Sequence, residues 1–196
     1  MVEPIKVASC PVETSSFSAS FELIRISFGD LGGSPSTMIW SSFHSSVCLD
    51  LFEKKFAAHL DVKYAHATSS CTGALHLGFY SLGIKPGDEV ILADTNWIAS
   101  VSPIVHLGAT PVFVDINPKT WCLDPVLVEK AITNKTKAIV SVPMWSSPNM
   151  DTLVKIANNN KIDLVEDAAQ SLGATFEGKK VGTFGKVGSF SFDFGK

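Results

Sequence analysis

The chain has 196 residues, 45% of them apolar, and a formal net charge of −3 without a block of like charges. This length and composition suffice for one domain with a sizeable core, and the charge argues against nucleic acid or an anionic membrane as partner. The four cysteines lack the close spacing of zinc or redox motifs, and the longest apolar stretch is interrupted by polar residues, proline and glycine. We therefore expect a cytoplasmic protein that has no metal site and does not span a membrane.

The first 46 residues are rich in serine and only weakly periodic, so we expect a weakly structured N-terminal segment with at most a short strand at 21–28. Over residues 49–60, apolar side chains recur at helical spacing, which predicts a helix. A short strand is predicted at 64–68, and the small polar residues at 69–72 stand where the next helix, which extends to residue 82, should begin.

From residue 89 onward, short strands rich in Val and Ile alternate with helical segments. This alternation is typical of strands buried on both faces of a mostly parallel sheet, which predicts an α/β fold of three layers with helices on both faces. In such sheets, ligands bind at the carboxyl ends of the strands. The predicted strands lie at 89–93, 111–115, 138–142, 163–166 and 188–193, the helices at 97–107, 125–132 and 151–159, and a hairpin at 176–181.

Two features near predicted strand ends could bind a ligand, and each also has an ordinary structural interpretation. The small residues from Ser69 to Gly73 open a helix, whose free N–H groups and positive dipole end suit a phosphate. Helix capping by Ser or Thr explains the same residues without a ligand. Trp97 follows the strand at 89–93 and could stack on an aromatic ligand, or it could be a core residue.

Two charged positions have the same ambiguity. Glu166 and Asp167 end an apolar strand, and a buried carboxylate there needs a cationic or hydrogen-bonding partner, which a pyridinium nitrogen would supply. Asp167 could instead cap a following helix. Lys196 follows a run of aromatic residues, a setting that could favour a Schiff base, although most lysines are ordinary surface residues.

From about residue 51 to residue 196, the order and spacing of these features resemble the DegT/DnrJ/StrS family of sugar aminotransferases, which depend on pyridoxal 5′-phosphate (PLP). The similarity extends over 83–91, 107–116, 136–139 and 180–192. Two of the matching fragments are Ser70-Cys71-Thr72-Gly73-Ala74-Leu75-His76-Leu77 and Glu166-Asp167-Ala168-Ala169-Gln170. The segment at 143–149 departs from the family pattern, and so does Cys71, which stands where the family usually has glycine.

The resemblance implies a role for each matching position. Lys196 would hold PLP as a Schiff base and move a proton between substrate and cofactor, and Asp167 would keep the ring nitrogen protonated so that the ring acts as an electron sink. The other implied contacts are Gln170 with the ring 3-oxygen, Trp97 with the ring face, and the backbone of Cys71 and Thr72 together with the Ser191 hydroxyl with the phosphate.

The resemblance further implies a fold-type-I PLP-binding large domain at 47–196 that is incomplete at its C-terminus, with the small C-terminal domain absent and an apolar sheet edge exposed where the missing strand should pair. Full-length relatives of this type would be homodimers. The implied reaction transfers an amino group from an amino acid, with glutamate as the expected donor, to a nucleotide-linked keto-sugar. Two alternatives stay open: a truncated chain or partner chain without turnover, and a relative with other PLP chemistry such as a dehydratase, against which the presence of Lys196 argues.

Overall fold

A computed structural model of the chain describes residues 24–29, 35–39, 46–143 and 149–192. Within these ranges the helices are α1 Ser46–Leu60, α2 Cys71–Ser81, α3 Ile98–His106, α4 Pro125–Ala131 and α5 Met150–Asn160. The strands are β1 Ile24–Gly29, β2 Pro35–Ile39, β3 Tyr64–Ala67, β4 Glu89–Ala93, β5 Thr110–Val114, β6 Thr136–Ser141, β7 Asp163–Asp167, β8 Thr175–Phe176, β9 Lys179–Lys180 and β10 Val187–Ser191. All the elements predicted from the sequence are present, and β2 is an additional strand.

The main sheet has eight strands in the order β2-β3-β1-β10-β7-β6-β4-β5. The five strands from β10 to β5 are mutually parallel, which confirms the predicted mostly parallel sheet. Helices α3, α4 and α5 connect β4, β5, β6 and β7, and the β8–β9 hairpin lies between β7 and β10. Because the five strands are parallel, their carboxyl ends lie at the same end of the sheet.

An antiparallel strand interrupts this arrangement, because β1 lies between β3 and β10 and pairs with both. Strand β10 therefore has a neighbour on both sides, β1 and β7, so the sheet edge that we expect where a further strand should pair does not lie at β10. Residues 24–26 of β1 pair with residues 189–191 of β10, so the backbone groups on that side of β10 have partners. Since β3 and β10 are both antiparallel to β1, β3 runs in the same direction as β10 and the other parallel strands. Helix α2 follows β3, so it begins at the end of the sheet where the parallel strands have their carboxyl ends.

Helices cover both faces of the parallel sheet, which confirms the three-layer arrangement. Leu75 and Phe79 of α2 and Ile104 of α3 are fully buried against one face. On the other face, Val128 of α4 and Leu153 of α5 pack against the opposite side of the same strands. Burying one such side chain contributes about 1.5–3 kcal/mol, so each helix is held to the sheet mainly by its apolar side chains.

Gly185, in the loop between β9 and β10, and Gly188, in β10, have no room for a side chain. A β-carbon at Gly185 would overlap the carbonyl oxygen of Leu164, and one at Gly188 would overlap the carbonyl oxygen of Gly182. Both obstacles are backbone atoms, which cannot move aside as the end of a flexible side chain can. This loop is therefore fixed against β7 just before the chain enters β10.

Replacing Gly185 by alanine tests this packing. We expect Gly185→Ala to lower the free energy of unfolding by about 2–3 kcal/mol, as overpacking of a tight interior does. Gly73→Ala is the control, because the atoms nearest to its added β-carbon are serine hydroxyls at 3.3 and 3.4 Å. Alanine is also the better helix former there by about 1 kcal/mol. The free energies of unfolding are measured by urea unfolding. An equal loss of unfolding free energy in both variants would contradict the proposed packing.

Candidate functional site

Strand β7 ends in two acids that point to opposite faces of the sheet, because successive side chains of a strand alternate. Glu166 and Asp167 are both buried. Leu164 belongs to the core under α5, and Val165 belongs to the core under α2 and α3. Glu166 therefore shares the α5 face with Leu164, and Asp167 shares the face of α2 and α3 with Val165.

The Asp167 carboxylate is surrounded by donors from three parts of the chain. The Ser100 hydroxyl of α3 donates to Oδ2 at 2.5 Å, and the Ala169 N–H donates to Oδ1 at 3.2 Å. The thiol sulfur of Cys71, the first residue of α2, lies 3.9 Å from Oδ1, as in a weak S–H···O contact. A buried carboxylate held in this way can keep its charge.

Asp167 does not cap a helix, because no helix follows it in the described chain. Residues 169 and 170 form a turn, and β8 follows at Thr175 without an intervening helix. The turn is anchored by the Ser171 hydroxyl, which donates to the carbonyl oxygen of Pro143 beyond the end of β6. Gln170 lies in this turn and is exposed, three residues after Asp167.

The first turn of α2 combines the two interpretations of its small residues. Ser70 is the N-cap, and its hydroxyl accepts the Gly73 N–H at 3.0 Å, as expected for ordinary capping. Its carbonyl accepts the Ala74 N–H at 2.8 Å. Cys71 and Thr72 are the next two residues, at the positive end of the helix dipole. Since the Cys71 side chain contacts Asp167, this helix end and the buried acid form one site.

The remaining predicted site residues lie at the same edge where the structure describes them. Trp97 is the N-cap residue of α3, three residues before Ser100, and 72% of its surface is exposed, so it is not a core residue. Ser191 is the last residue of β10 and is buried. It shares a face with Ser189, which pairs with Asp167. Lys196 lies outside the described residues.

Glu166 has a structural role beside the site that its sequence context does not specify. Its carboxylate accepts the N–H groups of Gly182, Phe184 and Gly185 at 2.6–2.7 Å, and so it fixes the loop before β10. Burial raises the pKa of Glu166 from 4.5 to about 7, while the hydrogen bonds from these three residues and the charge of Lys179 act in the opposite direction. The sequence signal was a second acid in an apolar strand, followed by a glycine-rich loop.

Two further features are absent from the part of the chain that the structure describes. No group of three or more His, Cys, Asp or Glu side chains there is arranged to hold a metal ion. None of the helices described there has the length and apolarity needed to cross a membrane.

The sequence profile of the DegT/DnrJ/EryC1/StrS aminotransferase family matches residues 42–196. The chain belongs to this family. Among relatives, the chain is 45% identical over 142 residues to the GDP-perosamine synthase of Escherichia coli O157:H7. This match covers 72% of this chain and 39% of that protein. It is 46% identical over 146 residues to L-glutamine:2-deoxy-scyllo-inosose aminotransferase of Streptomyces kanamyceticus, covering 74% of this chain and 34% of that enzyme.

A solved structure of an aminotransferase-like fold supports the cofactor type. The NtdA protein of Bacillus subtilis, crystallised with its cofactor PMP, the amine form of PLP, superposes with a TM-score of 0.65 and 40% identity. The match covers 68% of this chain and 31% of NtdA. The chain thus spans roughly a third of the length of the proteins it matches. In this family member, a buried carboxylate beside a helix N-terminus suits a cofactor that has a basic ring nitrogen and a phosphate.

The raised pKa of Glu166 predicts a specific pH dependence of stability. Because the pKa is higher in the folded chain than the ordinary 4.5, the folded state binds more protons between pH 4.5 and about 7. The contribution of Glu166 is therefore fully present below pH 4.5 and is lost as the pH rises through about 7.

The measurement is the difference in unfolding free energy between the wild-type chain and Glu166→Gln as a function of pH. We expect this difference to decline across that window by about 3 kcal/mol, since one pKa unit corresponds to about 1.4 kcal/mol. Glu177→Gln, at an exposed carboxylate in the hairpin, controls for the loss of one charge. A difference that stays constant with pH, or rises, would show that Glu166 does not titrate in this way.

Proposed function

We propose that this family member binds PLP at the Asp167 edge of the sheet and acts as an aminotransferase, moving an amino group from glutamate to a nucleotide-linked keto-sugar. The observation that carries the proposal is the hydrogen-bonded, buried Asp167 carboxylate, with the first turn of α2 beside it. When bound, PLP supplies an electron sink that stabilises negative charge on the substrate carbon.

The proposed contacts follow from the chemistry of each group. The charge of Asp167 would keep the ring nitrogen protonated, and the N–H groups of Cys71 and Thr72 would hold the phosphate at the positive helix end. The Ser191 hydroxyl, buried at the end of β10, would donate to the same phosphate. The Cys71 side chain, an unusual residue for this family position, is accommodated by its contact with Asp167.

Three further residues would act on the ring and the substrate. Trp97 has an exposed indole that can cover one face of an aromatic ring. Gln170 is exposed in the turn after Asp167 and would bond the ring 3-oxygen. Lys196 would hold the cofactor through its amine and transfer the proton at the substrate carbon.

The substrates are proposed from relatives. The names GDP-perosamine synthase and L-glutamine:2-deoxy-scyllo-inosose aminotransferase indicate a nucleotide-sugar product in one case and an L-glutamine donor in the other. We propose a nucleotide-linked keto-sugar as acceptor and glutamate as donor, with glutamine as the donor to compare it with. A cytoplasmic location would keep the Cys71 thiol reduced beside Asp167.

The absorbance of the purified chain with PLP tests this function. A visible band should appear with wild type, disappear with Lys196→Ala, and persist with Lys119→Ala, which removes an exposed lysine from a turn. Asp167→Ala should weaken PLP binding at least about tenfold, since a hydrogen-bonded charge contributes about 1.5–3 kcal/mol.

The amino donor is tested on the same sample. Glutamate, or glutamine in a parallel experiment, should convert the bound cofactor to its amine form, which changes the absorbance. A band that does not respond to either donor would favour the alternative of a chain that binds PLP without turnover. The absence of any band would contradict the proposed function.

We also propose that the chain pairs with a second copy through the outer face of α2 and α3. Tyr80 on α2 and Ile98 on α3 are 67% and 69% exposed, and Val105 follows Ile98 by two helical turns on the same face. Ile98 directly follows Trp97 in the chain, so a partner bound over Ile98 would border the site. Apolar surfaces of this kind on a soluble domain mark association sites.

Sedimentation velocity tests the pairing. The wild-type chain should sediment as a dimer, and Tyr80→Lys should shift it toward monomer because a lysine charge would be buried in the interface. Val126→Lys changes an exposed apolar residue of α4, on the opposite face of the sheet, and should leave the dimer intact. A wild-type monomer at all concentrations would refute the proposed interface.

A further inference from the structure

We infer that Ser100 is a positioning residue for Asp167, holding the carboxylate in the orientation that the cofactor nitrogen requires. This inference rests on the proposed PLP site and deepens it, because it assigns the orientation of the Asp167 carboxylate to a hydroxyl group of α3. Ser100 is fully buried, and its hydroxyl lies 2.5 Å from Oδ2 of Asp167.

The contact is at the short end of the range for hydroxyl hydrogen bonds, and hydroxyl donors approach a carboxylate oxygen to about 2.5–2.7 Å. A serine hydroxyl has one proton to donate. Within a helix, that proton commonly goes to the carbonyl of the preceding turn. In α3 it goes instead to a carboxylate 67 residues away in sequence, so this serine serves a tertiary contact.

The other oxygen of Asp167 is held differently. Oδ1 receives the Ala169 N–H at 3.2 Å and faces the Cys71 sulfur at 3.9 Å. The bond from Ser100 is therefore the shortest of these three contacts, and it acts on the oxygen that the other two do not reach. Loss of this bond would remove a restraint on rotation of the carboxylate about its Cβ–Cγ bond, because Oδ2 would lose the Ser100 hydroxyl.

Ser100 also ties the acid to the residue proposed to cover the ring. Its backbone N–H donates to the carbonyl oxygen of Trp97 at 3.0 Å, which closes the first turn of α3. The same residue thus sets the position of Trp97 through its backbone and of Asp167 through its side chain. A change at Ser100 that keeps the helix but removes the hydroxyl separates these two effects.

The test compares Ser100→Ala and Ser100→Cys, which remove the hydroxyl, with Ser100→Thr, which keeps it. Ser102→Ala is the matched control, a serine of the same helix two residues further on. PLP binding is measured by titration, and the protonation of the ring nitrogen by the ¹⁵N resonance of PLP labelled in its ring. The Ser100→Cys variant decides the question if Ser100→Ala does not fold.

We expect Ser100→Ala and Ser100→Cys to weaken PLP binding at least about tenfold, as loss of a hydrogen bond to a charged group does. Their ring-nitrogen resonance should move toward that of unprotonated pyridine. Ser100→Thr and Ser102→Ala should bind within about twofold of wild type with an unchanged resonance. Wild-type affinity and an unchanged resonance in Ser100→Ala, or in Ser100→Cys if alanine unfolds the chain, would overturn the inference.

A second measurement in the cofactor-free chain separates this inference from the proposed function. Unfolding by urea is compared among Ser100→Ala, Asp167→Asn and the double variant, because partners in one hydrogen bond show non-additive effects. A wild-type chain that does not bind PLP would contradict the proposed function. In that case additive single effects would also refute the bond between Ser100 and Asp167, and non-additive effects would retain Ser100 as the residue that orients the acid.

Discussion

The burial of the Asp167 carboxylate is the constraint on which the site depends. A charge removed from water at this depth is costly unless donors replace the water, and here the donors come from α3, from the start of α2 and from the turn after β7. These three elements must therefore approach one point at the carboxyl edge of the sheet. The apolar packing of Leu75, Phe79 and Ile104 brings α2 and α3 to the correct face.

The strand geometry of β7 gives the two adjacent acids separate tasks. Since neighbouring side chains of a strand point to opposite faces, Asp167 meets the helices that contribute the site, and Glu166 meets the loop that leads into β10. Glu166 accepts three backbone N–H groups of this loop, and burial raises its pKa to about 7. We interpret Glu166 as the residue that fixes the loop through which the chain enters β10. The Glu166 side chain lies on the opposite face of the sheet from Asp167 and the proposed cofactor.

The elements of the fold could be predicted from the sequence because each is encoded locally. Runs such as 89–93 and 138–142 are apolar and β-branched, and the helices between them have apolar residues on one face. The position of β1 between β3 and β10 could not be predicted, since pairing partners are set by the whole sheet and not by the six residues of the strand.

The site was predicted only in part, for the same physical reason. Asp167 and the start of α2 carry local signals, an acid at a strand end and small residues at a helix start. Ser100 carries no such signal and that of Glu166 is weak, because a serine in an apolar helix and a second acid in a strand have many uses. Their roles depend on which atoms the tertiary fold places beside them, Oδ2 of Asp167 for one and the N–H groups of residues 182–185 for the other.

The contacts around Asp167 also imply an order of events in folding. Cys71 and Ser100 are 96 and 67 residues away from Asp167 in sequence, so neither contact can form within a local segment. The entropy of closing such loops must be met by contacts that form at the same time, and the apolar packing of the helices on the sheet supplies them. Of the donors from Ser100, Cys71 and Ala169, an isolated β7 with its following turn would retain the Ala169 N–H. The charged site is therefore completed by the assembly of the sheet, and changes that loosen the packing of α2 or α3 should disturb the acid before they disturb the strands.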